Sequence, residues 1–215
     1  MTPRFVASLR LGIVALIVFA VVVTFTVSAI ARGALPNPFN FFGFFTIQSN
    51  LLCIGVLATA AVALLRGRTL PAWFHVLRGS VTAYIAIVGV VYAVLLAPLG
   101  AAGGVEVPLS NAILHMLTPL YLPLDWLLFN DRPALDWRKL WLVLAYPVVW
   151  VAVVLVRGAT DGWVPYPFLD PTVGYPTVAL YCLVIMLVGL AFGALAWWVS
   201  RLRTRWPLGR GVDAA

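Results

Sequence analysis

Six long apolar stretches, separated by short polar segments, make up most of this 215-residue sequence. They cover approximately residues 5–31, 41–65, 72–97, 109–129, 140–156 and 174–200. A helix of about 20 apolar residues is long enough to cross the hydrocarbon core of a bilayer. The pattern therefore predicts an all-α integral membrane bundle of six transmembrane helices.

The composition supports a membrane location. Hydrophobic residues make up 63% of the chain, charged residues 10%, and the mean hydropathy is +1.04. A soluble domain is nearer one half apolar and one quarter charged. The first stretch raises the alternative of a signal peptide, because Ala29-Ile30-Ala31 resembles a cleavage site. Its apolar part is longer than the core of a typical signal peptide, so we expect a retained first helix.

The basic residues indicate the orientation of the bundle. The net charge is +7, and 12 of the 14 lysines and arginines lie in alternate loops and at the two termini, while Arg32 and Arg157 lie on the other side. Because basic residues concentrate on the cytoplasmic side, both termini of this multi-pass protein are predicted to be cytoplasmic. Residues 1–204 form one transmembrane domain, and residues 205–215 form a short basic tail. Basic groups at helix ends do not indicate a nucleic-acid partner, and no obligate protein partner is inferred.

The two cysteines, Cys53 and Cys182, each lie inside an apolar stretch. They lack the spacing of a disulfide framework or a zinc site, so they are interpreted as packing residues. No metal and no cofactor is expected.

Candidate chemistry comes from two polar residues in apolar surroundings, Thr46 in the second stretch and His115 in the fourth. Under the predicted topology both helices enter from the non-cytoplasmic side. Thr46 and His115 then lie about 8 to 9 Å inside, at nearly the same depth, at 1.5 Å per residue. A polar patch at matched depth on two helices indicates a shared pocket. The same helices carry further polar positions that would support it: Gln48, Ser49, Asn50, Asn111 and Thr118.

A threonine and a histidine suit acyl transfer. A threonine hydroxyl becomes a useful nucleophile when a neutral imidazole removes its proton. Nearby amides, from Asn50, Asn111 or Gln48, orient the histidine or stabilise an oxyanion. Asp125 is not a third member, because ten residues of helix place it about 15 Å from His115 and about 80° around the helix. The alternative is that these polar residues only form hydrogen bonds between helices, at about 0.6 kcal/mol each.

Three segments resemble the androgen-induced-gene protein family of multi-pass membrane proteins, which includes androgen-dependent TFPI-regulating protein. They are Phe44-Phe-Thr-Ile-Gln-Ser-Asn-Leu-Leu52, then Asn111-x-x-x-His115 with Pro119 and Asp125, then Trp163-Val-Pro-Tyr-Pro-Phe-Leu-Asp170. The chain looks like a bacterial member, which implies a location in a bacterial inner membrane. The resemblance runs from the second to the sixth helix. The polarity of Gln48-Ser-Asn50 and the extra proline between Val164 and Tyr166 depart from the animal pattern.

The resemblance implies a function. Animal members are threonine hydrolases that cleave fatty-acid esters of hydroxy fatty acids, and their threonine and histidine match Thr46 and His115. It also implies that Trp163, Tyr166 and Phe168 lie at the pocket rim. Without the resemblance, the tryptophan and tyrosine residues of this loop are interpreted as an aromatic belt. The expected function is hydrolysis of a lipid or other apolar acyl ester. A non-enzymatic lipid-binding or transport-related bundle, in which the same polar residues bind a ligand, is the alternative, and a structural partner subunit is a third.

Overall fold

A computed structural model describes residues 2–103 and 107–202 of the chain. This part is 81% helical and contains no β-strand, so the predicted all-α class is confirmed for it. Three tail arginines, Arg203, Arg205 and Arg210, and the predicted basic tail lie outside the described residues. The α-helices are α1 Pro3–Arg32, α2 Pro38–Phe41, α3 Phe45–Leu65, α4 Ala72–Val91, α5 Pro108–Ala112, α6 Thr118–Leu128, α7 Leu142–Thr160 and α8 Tyr175–Val199.

Five helical segments of the described chain are long and apolar enough to cross a membrane. They are Pro3–Arg32, Phe45–Leu65, Ala72–Gly100, Trp137–Thr160 and Tyr175–Val199. The fourth predicted span corresponds to α5 and α6, which are joined by a helical turn. It is not among the five. Asn111, His115 and Asp125, together with its prolines, make this segment more polar than the others.

Two turns of π-helix, which are wider than α-helical turns, interrupt the regular α-helical geometry. They are Tyr92–Leu96 after α4 and Ile113–Leu117 between α5 and α6. Each ends two residues before a proline, Pro98 or Pro119. Proline has no N–H to bond the carbonyl four residues earlier, so the regular helical register cannot continue through it. In both turns the residue before the proline instead bonds the carbonyl five residues back. Such turns occur frequently at functional sites.

Helix α4 lies at the centre of the bundle, in contact with α3, α6 and α8, while α1 packs against α3 and α7 against α8. The approach of α4 to α6 depends on Gly89. A Cβ atom at Gly89 would lie 2.8 Å from the Cβ atom of Pro119. Small residues allow helix backbones in membranes to approach closely, and here the contact fixes the wide turn that carries His115.

Four charged side chains form a buried ion cluster: Arg10 of α1, Arg78 of α4, Asp125 of α6, and Asp131 of the loop that follows. Arg10 Nε donates to Asp125 Oδ1 at 2.8 Å, and Arg78 Nη2 donates to Asp125 Oδ2 at 2.7 Å. Asp131 accepts from Arg10 at 2.6 Å and from Arg78 at 2.9 Å. Each arginine therefore bonds both carboxylates, and three chain segments that are distant in sequence are held together.

The ion cluster gives Asp125 a role that the sequence left unassigned. It also corrects the interpretation of Arg10 and Arg78, which are fully buried ion-pair partners rather than interfacial charges at helix ends. Burial by itself would raise the pKa of Asp131, but the two guanidinium groups more than offset it and hold that pKa well below its usual range.

Candidate functional site

A cavity of about 470 Å³, here called the polar cavity, lies at the opposite end of the bundle from the ion cluster. On α1 it begins at Thr24, fourteen residues after Arg10, which corresponds to about 21 Å of helix. Arg32 is the one lysine, arginine or carboxylate among the described residues that line it. The lining residues are Thr24, Ser28, Arg32, Pro36, Asn37, Asn40, Phe41, Phe44, Thr46, Ile47, Leu96, His115, Trp163, Pro165, Tyr166 and Pro167.

Thr46 lies in the first turn of α3, where backbone N–H groups have no partner inside the helix. No side chain of the residue preceding the helix caps this end. The Tyr166 hydroxyl does so from a distant loop: it accepts a hydrogen bond from the Thr46 N–H at 3.2 Å and lies 3.3 Å from Thr46 Oγ1. Tyr166 thus holds both the backbone and the hydroxyl of the candidate nucleophile.

His115 lies in the wide turn between α5 and α6 and is buried. Its ring stacks on Tyr92, with centroids 4.4 Å apart and planes at 24°. The Tyr92 hydroxyl accepts a hydrogen bond of 2.6 Å from Asn111 Nδ2. Within the described chain, His115 Nδ1 makes no hydrogen bond of ordinary geometry, although the imidazole interacts with the Asn111 carbonyl. Stacking on Tyr92 therefore helps to orient this ring.

Thr46 and His115 both border the polar cavity, and both are 6% exposed. The hydrogen bonds of the Thr46 hydroxyl and N–H go to Tyr166 rather than to the imidazole. Asn50 connects the two sides: its Nδ2 donates to the Thr46 carbonyl at 2.9 Å and to the Leu114 carbonyl at 3.2 Å. One side chain thus ties the first turn of α3 to the residue next to His115.

The remaining predicted supporting residues lie away from the cavity lining. Gln48 donates to the Phe42 carbonyl at 2.8 Å and accepts from the Tyr146 hydroxyl. Thr118 donates to the Ile113 carbonyl at 2.9 Å, in the wide turn that precedes α6. Ser49 is fully buried, and its hydroxyl has no partner among the described residues. Of the predicted supporting set, Asn50 therefore has the most direct link to Thr46.

The three predicted rim residues occupy different positions in the structure. Trp163 lines the polar cavity and packs under the Arg157 guanidinium, 4.2 Å from its ring centroid. Tyr166 is buried against Thr46, and Phe168 stacks on Tyr166 with centroids 5.3 Å apart. The sequence placed Tyr166 at the rim, whereas the structure places it in contact with Thr46.

The segment that carries Trp163 and Tyr166 is anchored by charge and by close packing. Asp161 accepts from Arg157 at 2.7 Å and from the Trp163 N–H at 3.0 Å, and these two bonds lower the pKa of Asp161. A Cβ atom at Gly43 would lie 2.5 Å from the Trp163 ring. Gly43 therefore lets the tryptophan lie directly on the chain before α3.

A second, apolar cavity of about 60 Å³ lies between α4, α7 and α8. Thr46, Tyr166 and Leu96 line both cavities. The two hydroxyl groups therefore stand at the boundary between a polar and an apolar space. This boundary is the most specific feature of the site.

Two residues of the candidate site, Tyr92 and Arg32, were not predicted from the sequence to belong to it. Tyr92 lies near the end of the third apolar stretch, and a depth argument like that used for Thr46 would have placed it close to His115. Arg32 served only as a marker of orientation. Among the described residues, no group of three or more His, Cys, Asp or Glu side chains is arranged to hold a metal ion.

Comparisons with protein-family models, with curated proteins and with solved structures found no match for this chain. The functional argument consequently rests on the residues that border the two cavities.

Proposed function

We propose that this protein is an intramembrane threonine hydrolase that cleaves a lipid ester, of the fatty-acid ester of hydroxy fatty acid type or similar. One observation carries the proposal: Thr46 and His115 are both buried and both border the polar cavity. We also propose membership of the androgen-induced-gene protein family, on the strength of the three segments that resemble it.

The proposed topology has six spans, with both termini in the cytoplasm of a bacterial cell. The fourth span is the segment that α5 and α6 form together. Its polar side chains support this assignment, because His115 and Asp125 are buried within the bundle rather than exposed on its surface. Ionisable residues inside membrane proteins face the interior in this way. The polar cavity then opens toward the non-cytoplasmic side.

In the proposed reaction, Thr46 Oγ1 attacks the ester carbonyl carbon and its proton passes to the His115 imidazole. Because Thr46 bonds Tyr166 at rest, a water molecule in the polar cavity relays this proton, as general bases do when not in direct contact. The tetrahedral intermediate expels the alcohol, which takes its proton back from His115. Water, activated by the same imidazole, then hydrolyses the acyl-threonine and releases the acid.

Tyr166 is the proposed oxyanion stabiliser. Its oxygen accepts from the Thr46 N–H at 3.2 Å. In the proposed reaction its O–H donates to the developing charge on the carbonyl oxygen. Asn50 is not available for this task, because its amide already donates to two backbone carbonyls. We assign Asn50 as a positioning residue that holds Thr46 and the turn of His115 in register.

The test is labelling by a fluorophosphonate activity probe in detergent-solubilised protein. Thr46→Ala and His115→Ala are each expected to abolish labelling while the thermal unfolding temperature stays close to that of the wild type. Thr82→Ala is the matched control, because the Thr82 hydroxyl bonds the Arg78 carbonyl in α4, away from the cavity. Undiminished labelling of both site variants would refute the catalytic assignment.

The alternative of a transport-related bundle requires a polar path from His115 to Asp125. Against it stands the engagement of Asp125 by two arginines in the ion cluster, outside both cavities. The lipid-binding alternative predicts that Thr46→Ala retains lipid as well as the wild type does and that neither protein turns it over. Mass spectrometry of co-purified lipid distinguishes this outcome from hydrolysis.

A further inference from the structure

The apolar cavity begins at the proposed nucleophile. At one end it is bordered by Thr46 and Tyr166, and along α8 it extends from Cys182 to Gly189. Seven residues of helix correspond to about 10 Å. The cavity is therefore a narrow slot that leads from the Thr46 hydroxyl into the interior of the bundle.

The two cavities that meet at Thr46 differ in chemistry. The apolar cavity is walled by aliphatic and aromatic side chains, with Thr46 and Tyr166 supplying hydroxyl groups at its entrance. An empty cavity with apolar walls stays dry and takes apolar ligands. The polar cavity instead presents Arg32 and the amides of Asn37 and Asn40.

We infer that the acyl chain of the ester binds in the apolar cavity and that the alcohol portion binds in the polar cavity. This inference rests on the proposed function, since it places the ester carbonyl at Thr46. An ester bound the other way round would put its more polar half in a dry, apolar slot, at the cost of desolvation. The slot also sets a limit on acyl length.

Gly189 and Ile87 mark the far end of this slot. A Cβ atom at Gly189 would lie 2.7 Å from Ile87 Cδ1, and both residues line the cavity. A larger side chain at Gly189 therefore fills the slot directly or displaces the Ile87 side chain into it. Shortening Ile87 has the opposite effect and lengthens the slot.

The experiment measures kcat/KM for a series of p-nitrophenyl esters from acetyl to palmitoyl. For the wild type, each methylene buried in the slot raises kcat/KM by about fourfold, until the slot is full. Gly189→Leu is expected to lower the ratio of kcat/KM for the best long-chain ester to kcat/KM for the acetyl ester by about tenfold or more. Gly55→Leu is the control, because a Cβ at Gly55 meets no atom within 4 Å.

An unchanged chain-length profile in Gly189→Leu overturns the inference. If that variant does not fold, Ile87→Ala takes its place, and it must shift the optimum toward longer chains. A wild type that hydrolyses no ester refutes the proposed function instead. In that case photo-crosslinking with decanoic acid carrying a terminal diazirine tests the slot directly. Labelling within the segments that line it, residues 87–96, 143–151 and 182–189, supports the acyl site, and labelling confined to segments outside the slot overturns it.

Discussion

The ion cluster and the polar cavity occupy opposite ends of the same bundle and differ in how completely their buried polar atoms are hydrogen-bonded. In the ion cluster, two arginines and two aspartates bond one another at 2.6 to 3.2 Å, and their formal charges cancel. Among these four side chains, Arg78 Nε is the one buried polar atom that lacks a partner in the described chain. At the border of the polar cavity, His115 Nδ1 makes no hydrogen bond of ordinary geometry to the described residues. Behind the cavity lining, on the first two turns of α3, the Ser49 hydroxyl and Asn50 Oδ1 also have no partner in that part of the chain.

This difference separates a structural role from a functional one. Buried charges in a membrane protein are tolerated when they are paired and bonded, and removal of one partner leaves an uncompensated charge. Buried polar atoms without partners are rare in native proteins, and each requires an explanation. We attribute the ion cluster to the fold, and the incomplete hydrogen bonding of His115 at the border of the polar cavity to the ligand that we propose this cavity binds.

The largest expected effect lies in the ion cluster. Asp125→Asn leaves two buried guanidinium groups with the single carboxylate of Asp131, and we expect a loss of about 3–5 kcal/mol in the free energy of unfolding. Denaturant unfolding in detergent measures it. The control is Asp161→Asn, which removes the exposed partner of Arg157 and should change stability little. Equal stability of the two variants would contradict the structural role of the ion cluster.

The fold could be predicted from the sequence to the extent that hydrophobic length determines it. The apolar stretches match α1, α3, α4, α7 and α8 to within a few residues at most ends. The pairing of Asp125 with Arg10 and Arg78 could not be predicted, because it depends on which helices are neighbours. The wide turns also escaped prediction, since proline indicates an interruption of the helix but not its form.

The site was predictable where depth along a helix was sufficient. Thr46 and His115 were matched by their depth, and the structure brings both to one cavity. Direction around the helix was harder to predict: Gln48 lies two residues from Thr46, and its side chain instead reaches Tyr146. The contact of Tyr166 with Thr46 depends on how the loop before α8 folds back, for which the sequence carries no periodic signal.

Two tyrosine hydroxyls, those of Tyr166 and Tyr146, are expected to differ in their importance for catalysis. Tyr166→Phe removes the group that bonds Thr46, and kcat for ester hydrolysis is expected to fall by about 10²–10³-fold, the effect of losing an oxyanion donor. Tyr146→Phe removes a hydroxyl that bonds Gln48 outside the polar cavity. Each substitution should lower the free energy of unfolding by about 1 kcal/mol, but Tyr146→Phe should not cause this loss of kcat. A proportionate fall of kcat in both variants would argue against a special role for Tyr166.

The third prediction concerns the segment that carries Tyr166. Gly43→Ala places a Cβ atom 2.5 Å from the Trp163 ring and 2.6 Å from the Phe39 carbonyl oxygen. Overpacking of this kind costs about 1–3 kcal/mol, and the displaced loop should lower kcat moderately. Gly55→Ala introduces the same methyl group into open space. If both variants match the wild type in stability and kcat, the loop is not held against Gly43 as described.

The smallest expected effect tests the charge imbalance of the polar cavity. Arg32 is exposed and has no carboxylate beside it among the residues that line the cavity, so it is placed to attract an ester that carries a free carboxylate. Arg32→Gln should raise KM for such a substrate by up to about fivefold, the value of an exposed ion pair of about 1 kcal/mol. The methyl ester of the same substrate should be unaffected, and added salt should reduce the difference. Arg66→Gln, at a separate groove, is the control; if it raises KM as much, the effect is one of general surface charge rather than of recognition at the cavity.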